Sequence, residues 1–365
     1  MKKLCVFPSD PIYRYYEKGE IKHRYYNPCN FFDEVHIITL CEHDVEPEKV
    51  QILVGDARLV IHPIGRPTPS SFPFYFRRAR NLVQAIQPQM IRGHGIWHAG
   101  SLATYAGKKL GIPTVVSLHN EYDDMREYNK ALIYRLVKVL EWYTLRNTDC
   151  AICMTKHVER FARRHGVKRA VVIYNKVYTK QFCQEVEKIV YERPTILSVM
   201  RLDPQKDPEC LIRAIAGLDA NLVLIGQGVL EAHLKRLVEE LELEDRVQFI
   251  PSVPNTEIQR YYFSADIFAM ATHYEGFCIP VLEAMAAGLP VVACDTNPLP
   301  EVMGGTGVIV ERTPEAFRAA FSGLIANSDL SKELGEKGRR RAMALDGAAM
   351  EEKEMRLYQT LLRRN

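Results

Sequence analysis

Short apolar runs alternate with amphipathic stretches of helical length along almost the whole chain. Strands that alternate with helices in this way are typical of parallel sheets built from βαβ units. The clearest helical stretches of the first half are 76–87, 98–110, 127–146 and 156–165. The apolar runs that we predict to be strands are LCVF (4–7), EVHIITL (34–40), QILVG (51–55), RLVIHPI (58–64), MIRGHG (90–95), PTVVSLH (113–119), CAICM (150–154), AVVIYN (170–175), TILSVM (195–200), NLVLIG (221–226), RVQFI (246–250), DIFAMA (266–271), PVVACD (290–295) and GVIV (307–310).

A polar stretch without a strand candidate, 176–193, divides this series into two. We therefore predict two Rossmann-like lobes, an N-terminal domain of residues 1–180 and a C-terminal domain of residues 181–346, with parallel sheets facing an interdomain cleft. Ligands of open α/β sheets bind beyond the carboxyl ends of the strands, so the cleft is the expected site. The final segment, 347–365, contains a charged amphipathic helix with no strand after it, which leaves it free to pack elsewhere.

Composition narrows the class of protein. A hydrophobic fraction of 47% with 25% charged residues excludes a disordered or fibrous chain. The N-terminus MKKLCVFPSD is too poor in apolar residues for a signal peptide, and no run is long enough to cross a membrane. Nine cysteines show no disulfide framework, so we expect a reducing, cytoplasmic location. Cys150 and Cys153 form a single CxxC within an apolar run, which favours a place in the core over a metal site.

The net charge of +3 is unevenly distributed, because residues 1–180 carry +11 and residues 181–365 carry −8. A basic first half indicates an anionic partner, such as an acidic substrate or a membrane surface. No RNA- or DNA-binding motif accompanies the basic residues, so we predict no nucleic-acid partner. Solvated helix faces remain the alternative for both basic patches: Arg160, Arg163, Arg164, Lys168 and Arg169 form the denser one, and Arg77, Arg78 and Arg80 the other.

The most informative stretch is HYEGFCIPVLEAMAAGLPVVACD (273–295). Glu275 follows a predicted strand, Pro280 is placed to begin a helix, and Glu283 falls on the first turns of that helix. The free amides at a helix N-terminus bind phosphate, whereas carboxylates beside them suit sugar hydroxyls. The stretch thus predicts a diphosphate at the helix start with hydroxyls on the two glutamates. The alternative is a surface glutamate and a second glutamate that complements the helix dipole.

A second signal follows strand 195–200, where Arg201 and Lys206 stand five residues apart on a strand-to-helix loop. A guanidinium fork and a mobile ammonium suit a diphosphate, although surface charge is the alternative. Asp207 before Pro208 predicts an N-cap and the first helical residue. Gly226-Gln-Gly228 follows the next strand but lacks the third glycine of a dinucleotide motif, and no Walker A sequence is present.

Together these residues resemble the nucleotide-sugar-binding domain of retaining glycosyltransferase family four, which has the GT-B fold. The E-x7-E motif of that family is here EGFCIPVLE, and the Arg–Lys spacing is that of MRLDPQKD (200–207). The Pro-Glu and Gly-Val stretch is NPLPEVMGGTGVIVER (297–312), so the resemblance covers about 195–312. The first half is similar to the family more loosely, in GHGIWHAG (93–100), SLHNEYDD (117–124) and VIYNKV (172–177).

The resemblance implies a role for each matching residue of the second half. Glu275 would bind hydroxyls of the transferred sugar, and Glu283 the ribose of the nucleotide. Arg201 and Lys206 would hold the diphosphate and stabilise its charge as it leaves. The neighbouring donor-binding positions are Gly276 and Phe277, through their amides, together with Gly226 and Cys278, the latter standing where the family commonly has glycine.

For the first half the resemblance implies that His119, at the end of a strand, faces the donor sugar. His98 and Asn175 are acceptor-side candidates, with structural roles as the alternative. The final helix would cross back to the N-terminal domain. The family's glycine-rich loop after the first strand is missing, because the chain reads PSDPIYRYYEKGEIKHRYYN (8–27) there.

The resulting hypothesis is a retaining glycosyltransferase that moves a sugar from a nucleoside diphosphate sugar to a glycan, lipid-linked or small-molecule acceptor. We expect the nucleotide of the donor to be UDP rather than GDP. It implies no metal or other cofactor, since cations and amides replace the metal ion. The basic first half suggests a peripheral location on the inner membrane face. The alternatives are a nucleotide-sugar epimerase of the same fold and a non-catalytic nucleotide-sugar sensor.

Overall fold

The computed structural model describes residues 1–129, 137–182 and 186–363, which form two compact α/β units. Unit 1 comprises Met1–Tyr174 and Met350–Asn365, and unit 2 comprises Asn175–Ala349. Every strand pairing in both units is parallel among these residues. The prediction of two Rossmann-like units with parallel sheets is thus confirmed.

Unit 1 contains a seven-stranded sheet in the order β3-β2-β1-β4-β5-β6-β7. Strands β2, β4, β5 and β6 are buried at every position, as expected for parallel strands covered on both faces. The chain passes from one side of β1 to the other between β3 and β4, which makes β1 and β4 the topological switch point. The strands are β1 (Lys3–Phe7), β2 (Glu34–Thr39), β3 (Arg58–Pro63), β4 (Met90–His94), β5 (Thr114–Leu118), β6 (Cys150–Cys153) and β7 (Ala170–Val172).

One face of this sheet packs on α2 and α3, where Cys5, Phe7 and Ile91 meet Val83 and Leu102 in a buried apolar cluster. Short 3-10 helices occur at Pro28–Asn30 and Pro47–Leu53. The described helices of unit 1 are α1 (Ile12–Glu17), α2 (Phe72–Ile86), α3 (His98–Leu110), α4 (Tyr122–Asn129), α5 (Lys138–Asn147) and α6 (Lys156–Arg164), joined by the C-terminal helix α14 (Gly347–Leu362).

Unit 2 contains a six-stranded sheet in the order β10-β9-β8-β11-β12-β13, with its switch point between β8 and β11. Two 3-10 helices, Thr179–Phe182 and Pro204–Lys206, complete the unit. The strands are β8 (Thr195–Val199), β9 (Asn221–Ile225), β10 (Val247–Ile250), β11 (Ile267–Met270), β12 (Val291–Cys294) and β13 (Val308–Val310); the helices are α7 (Pro208–Ile215), α8 (Glu231–Glu240), α9 (Ile258–Ser264), α10 (Ile279–Ala287), α11 (Leu299–Met303), α12 (Pro314–Ala326) and α13 (Ser328–Ala344).

The structure differs from the predicted elements at two places in unit 1. The predicted strand 51–55 is wrong, because this run lies at the end of the 3-10 helix Pro47–Leu53. A short apolar run buries its side chains equally well in either conformation, so its sequence does not discriminate. The predicted helix 127–146 corresponds to the end of α4 and to almost all of α5, while residues 130–136 lie outside the described part of the chain.

The CxxC pair lies in the core as predicted. Cys150 and Cys153 are the first and last residues of β6, and both side chains are completely buried as free thiols. Burial raises the pKa of the Cys150 thiol to about 11, so the thiolate that a metal needs is disfavoured at neutral pH.

Candidate active site

The polar residues predicted in the second half gather at the carboxyl edge of the unit 2 sheet. Arg201 and Lys206 follow β8, and Glu275 follows β11, which is the neighbouring strand. Because β8 and β11 form the switch point, this edge of the sheet is where α/β proteins of this kind bind ligands. The structure therefore brings together two signals that are 69 residues apart in sequence.

Gln205 joins these two loops. Its backbone carbonyl accepts a hydrogen bond from the His273 amide at 2.8 Å and another from Thr272 Oγ1 at 3.1 Å. Its side-chain Nε2 donates to the carbonyl of Tyr274 at 2.9 Å. A single residue of the first loop thus satisfies three polar groups of the second. This role could not be predicted, since a glutamine between a proline and a lysine is typical of an ordinary surface position.

Lys206 and Glu275 form a largely buried ion pair, with side chains 14% and 7% exposed. Arg201 is different, because its guanidinium is mostly exposed and contacts its own loop: Nη1 lies 2.6 Å from Asp203 Oδ2, and Nη2 donates to Gln205 Oε1 at 3.0 Å. The lysine is thus fixed beside a carboxylate, whereas the arginine is accessible to an incoming anion.

The start of α10 lies beside this pair. Phe277 and Cys278 are buried, as is Gly276, and the helix begins at Ile279 with a proline in its first turn. Cys278 has φ 69° and ψ 75°, a left-handed conformation that L-residues other than glycine adopt at a cost. The backbone accordingly has the shape that a glycine would give it, although the chain carries a cysteine.

Glu283 lies one turn into α10 and accepts a hydrogen bond from the hydroxyl of Tyr262 at 2.8 Å. Tyr262 is completely buried on α9, and burial together with the nearby Glu283 raises the pKa of its phenol well above the ordinary value. The phenol thus stays protonated and holds one carboxylate oxygen of Glu283 in place. Tyr262 was not predicted, because nothing in the sequence RYYFS (260–264) distinguishes it from the neighbouring Tyr261.

The structure corrects the predicted cap of α7. This helix begins at Pro208 as predicted, but Asp207 adopts a left-handed conformation and its side chain makes no capping hydrogen bond. The carboxylate lies instead 3.5 Å from Arg312 Nε and 4.0 Å from His273 Nε2. The contact anchors the loop after β8 to the segment that follows β13.

Gly226 follows β9 with φ 142°, and a Cβ atom there would come within 1.9 Å of the Met200 carbonyl oxygen. Only glycine therefore allows the β8 and β9 loops to approach so closely. This packing role accounts for the glycine whether or not its amide also touches a ligand, and the predicted donor contact of Gly226 stays a prediction.

The remaining predicted residues belong to other parts of the fold. His119 follows β5 in unit 1, where its ring stacks on that of His94 with a centroid distance of 5.6 Å, and His94 Nδ1 lies 3.3 Å from His119 Nε2. His98 starts α3 and packs edge-on against Phe72. Asn175 is the first residue of unit 2.

The His119 imidazole is neutral over the physiological range. Burial lowers its pKa to about 4, and the positive charges of Arg92 and Lys22 act in the same direction. A neutral imidazole has one donor and one acceptor nitrogen, so it can bind a hydroxyl group in either sense. Burial lowers the pKa of His98 as well.

Two groups of carboxylates and histidines elsewhere in unit 1 have ligand atoms close enough to hold a metal ion. Arginines already pair with each group in the described part of the chain, through Arg164 with Glu121 and Arg126 with Glu141. We therefore describe both as ion-pair networks, formed by Glu121, Asp124 and His157 and by Asp123, Glu141 and His165.

Comparison with known proteins shows that the sequence matches two family models. Residues 179–341 match the family model of glycosyl transferases group 1, and residues 33–181 match that of glycosyltransferase family 4. An uncharacterized glycosyltransferase of Methanocaldococcus jannaschii is 26% identical over 72% of this chain and 73% of its own length.

A second relative is the GDP-mannose-dependent alpha-(1-6)-phosphatidylinositol monomannoside mannosyltransferase of Mycolicibacterium smegmatis, 32% identical over 42% of this chain. The match spans 44% of that enzyme. Among solved structures, Anabaena HepE in complex with UDP superposes with a TM-score of 0.76 at 17% identity, covering 99% of this chain and 100% of HepE. This likeness confirms the GT-B fold.

Proposed function

We propose a reaction for this chain on the premise that it belongs to glycosyltransferase family four, the glycosyl transferases group 1, and is a glycosyltransferase with the GT-B fold. In this proposal it transfers a sugar from a nucleoside diphosphate sugar to an acceptor hydroxyl and retains the anomeric configuration. The observation that carries the proposal is the buried Lys206–Glu275 pair at the switch point of unit 2, beside the start of α10 and the exposed Arg201.

The donor is held by groups of opposite character. Arg201, Lys206 and the first amides of α10 bind the diphosphate, because cations and free helix amides both favour anions. Glu275 and Glu283 accept hydrogen bonds from hydroxyls, Glu275 from the transferred sugar and Glu283 from the ribose. The hydrogen bond from Tyr262 supports this assignment of Glu283, since it fixes the orientation of the carboxylate.

The chemistry is a front-face displacement at the anomeric carbon. The bond from that carbon to the diphosphate oxygen breaks, and the bond to the acceptor oxygen forms on the same face of the sugar. The acceptor proton passes to the departing diphosphate, and Lys206 and Arg201 stabilise the charge that develops on it. His119, as a neutral imidazole, hydrogen-bonds a hydroxyl of the donor sugar. No step requires a metal ion, because the cations and helix amides supply the positive field.

Neither glutamate is assigned as a nucleophile. Retaining glycosidases form a covalent glycosyl-enzyme on one of two carboxylates about 5–5.5 Å apart. Here Lys206 binds Glu275 and Tyr262 binds Glu283, which supports hydrogen-bonding roles for both. Intact-protein mass spectrometry during turnover should show the unmodified mass. A sugar adduct on either residue would contradict the front-face mechanism.

We propose UDP ahead of GDP as the nucleotide. The HepE structure was obtained with UDP, whereas the mycolicibacterial relative uses GDP-mannose, so both donors belong in the assay. The acceptor is a glycan, a lipid-linked sugar or a small molecule. The lipid acceptor of the mannosyltransferase relative supports the lipid-linked choice.

We further propose that unit 1 docks on an anionic membrane surface through α2. Phe74 is 76% exposed on this helix, and Arg77 and Arg78 lie three and four residues later on the same face. Neither arginine pairs with a carboxylate among the described residues. In the denser sequence patch, by contrast, Arg163 pairs with Glu159 and Arg164 with Glu121.

An exposed aromatic flanked by cations suits a headgroup layer, with each basic residue contributing about 1 kcal/mol near an anionic surface. In the part of the chain that the structure describes, no helix combines the length and apolar character needed to cross a bilayer. Co-sedimentation with phosphatidylglycerol vesicles should fall with added salt and with Arg77→Ala/Arg78→Ala. Salt-independent binding, or none, would contradict the docking.

Two other functions compete with this one. An epimerase of the same fold would convert the nucleotide sugar without any acceptor. A non-catalytic sensor would bind the nucleotide sugar without turnover. The assay that separates the three measures nucleotide release from UDP-glucose and GDP-mannose with and without an acceptor panel that includes membrane lipids.

Transfer predicts release that depends on the acceptor and is abolished by Lys206→Met, with the product keeping the donor's anomeric configuration in its proton NMR spectrum. Conversion of the donor alone would support the epimerase. Binding without release would support the sensor.

A further inference from the structure

Two glutamates on the inner face of α14 are buried with arginine partners. Glu351 lies 3.0 Å from Arg24, and Glu354 pairs with Arg92 of β4. Both glutamate side chains are at most 2% exposed. Charged side chains are almost never buried to this extent unless they are paired, so the burial of each glutamate depends on its arginine.

Arg92 is the centre of the second network. Its Nη1 donates to Glu354 Oε1, and its Nε and Nη2 donate to Ser117 Oγ at 3.2 and 3.1 Å. The hydroxyl of Tyr358, one turn further along α14, donates to the same Glu354 oxygen at 2.5 Å. The guanidinium consequently ties β4, β5 and α14 together at one point. Burial acts to lower the pKa of Arg92, but Glu354 and Tyr358 raise it by more, so the charge is retained.

This network lies next to the stacked His94–His119 pair along strands β4 and β5. Arg92 precedes His94 by two residues on β4, and Ser117 precedes His119 by two residues on β5. Side chains two apart on a strand share a face of the sheet, and His94 is the register partner of Ser117. Ser117 thus lies beside His94 in the sheet and two residues before His119, so the contacts between Arg92 and Ser117 also fix the strand ends that carry the two imidazoles.

Stability alone does not account for the pair. Taking an arginine and a glutamate out of water costs free energy that their attraction often only balances, and apolar replacements of similar size can be equally stable. We propose that Arg92 and Glu354 are positioning residues for His119: through Ser117 they fix the ends of β4 and β5, and so the orientation of the His94–His119 stack toward the donor sugar. This inference rests on the proposed function, because it presumes that His119 meets the substrate.

The charges around His119 agree with such a role. His94 and Arg92 face it from β4, Lys22 from the segment before β2, and Glu354 from α14. Arg92 and Lys22 disfavour a second proton on the ring, while Glu354 favours one. Removing one member of the network therefore changes both the position of His119 and its titration.

The test uses the full-length enzyme and three variants. Glu354→Gln removes the carboxylate but keeps the shape. Arg92→Met/Glu354→Gln removes both charges and avoids an unpaired buried guanidinium. Glu351→Gln is the matched control, since it removes an equally buried carboxylate from the same helix face. The partner of Glu351 is Arg24, which belongs to a different ion pair from the one that contacts Ser117.

Each variant is assayed for nucleotide release as a function of pH and donor concentration. We expect kcat to fall on the order of 10- to 100-fold in Glu354→Gln and in the double variant, since a displacement of about 1 Å has such effects. The donor KM should change little. Glu351→Gln should lose thermal stability but keep kcat near that of the wild type.

NMR titration of carbon-13-labelled histidines gives a readout that needs no activity. The His119 midpoint should rise in the double variant, which lacks the Arg92 charge, and fall in Glu354→Gln. An unchanged midpoint with unchanged kcat in both variants, alongside an inactive His119→Ala, would overturn the positioning inference and leave the proposed function standing. A fully active His119→Ala would instead contradict the role of His119 in the proposed function.

Discussion

At the scale of single residues, the Lys206–Glu275 pair carries most of the chemistry. In the structure the lysine ammonium and the carboxylate neutralise each other in a largely buried place. A diphosphate arriving beside them offers the ammonium a second anionic partner, and sugar hydroxyls offer the carboxylate new donors. The pair thus holds both groups in place before the donor binds.

Lys206→Met should be both destabilising and inactivating. It leaves Glu275 buried without its partner, which costs about 3–5 kcal/mol in such pairs, and removes the charge that stabilises the leaving diphosphate. Chemical denaturation and nucleotide release measure the two effects. In the double variant Lys206→Met/Glu275→Gln much of the lost stability should return, but none of the activity. Recovery of activity together with stability would show that the lysine serves folding only.

Tyr262→Phe should weaken donor binding without abolishing it. The change removes one hydroxyl and leaves the ring packed on α9, so Glu283 loses the bond that orients it. A hydrogen bond to a charged group contributes about 1.5–3 kcal/mol, which corresponds to a Kd for UDP raised roughly 10- to 150-fold. Isothermal titration calorimetry measures this. Tyr261→Phe on the same helix is the control, and equal affinities for both variants would contradict the role of Tyr262.

At the scale of elements, the start of α10 shows how a conformation is kept when its usual residue is absent. The left-handed φ of 69° at Cys278 brings the following amides to the carboxyl edge of the sheet. The thiol side chain is buried there, and burial raises its pKa well above the ordinary value. Burial of this small, weakly polar side chain offsets part of the backbone strain.

Two substitutions of Cys278 separate the backbone strain from the effect of burying the thiol. Cys278→Ala and Cys278→Gly both remove the sulfur, but only glycine relieves the left-handed strain, which costs about 1–2 kcal/mol for other L-residues. Glycine also loses more backbone entropy on folding, which offsets part of the gain. We expect the melting temperature of Cys278→Gly to exceed that of Cys278→Ala. The reverse order would show that the strain is absent.

The strands and the two charged loops could be predicted from the sequence, because buried parallel strands read as apolar runs and the Arg–Lys and E-x7-E spacings are local. Positions that depend on contacts between distant elements could not. Tyr262, Gln205 and the Glu354–Arg92 pair each act on a partner that lies in another element. The same reason explains why Asp207, although it precedes α7 as predicted, makes no capping hydrogen bond: its carboxylate contacts Arg312, which lies beyond β13.

At the scale of the whole molecule, the buried His36 and the half-buried His62 make stability depend on pH. His36 Nδ1 and His62 Nε2 of neighbouring strands lie 2.8 Å apart, with Glu34 and Lys3 facing His36. Burial lowers the pKa of both rings below the ordinary 6.5. The folded state therefore binds fewer protons than the unfolded state as the pH falls through and below this value.

It follows that the stabilising effect of these rings is complete above about pH 6.5 and is lost as the pH falls below it. Urea midpoints at pH 7.5 and 5.0 measure the loss. His62→Gln should make the difference between the two midpoints smaller, whereas His43→Gln, at an exposed position, should leave it unchanged. Equal differences in all three proteins would contradict the assignment.

The central claim is that unit 2 binds a nucleoside diphosphate sugar through Arg201, Lys206, Glu275 and Glu283. A thermal-shift panel of UDP, GDP, ADP and NAD on the wild type and on Glu283→Ala tests it most directly. A ligand at 100 times its Kd adds about 2.7 kcal/mol of stability. We expect UDP or GDP to raise the melting temperature of the wild type, with much of the rise lost in Glu283→Ala. No shift with any nucleotide, or an equal shift in the variant, would contradict this site.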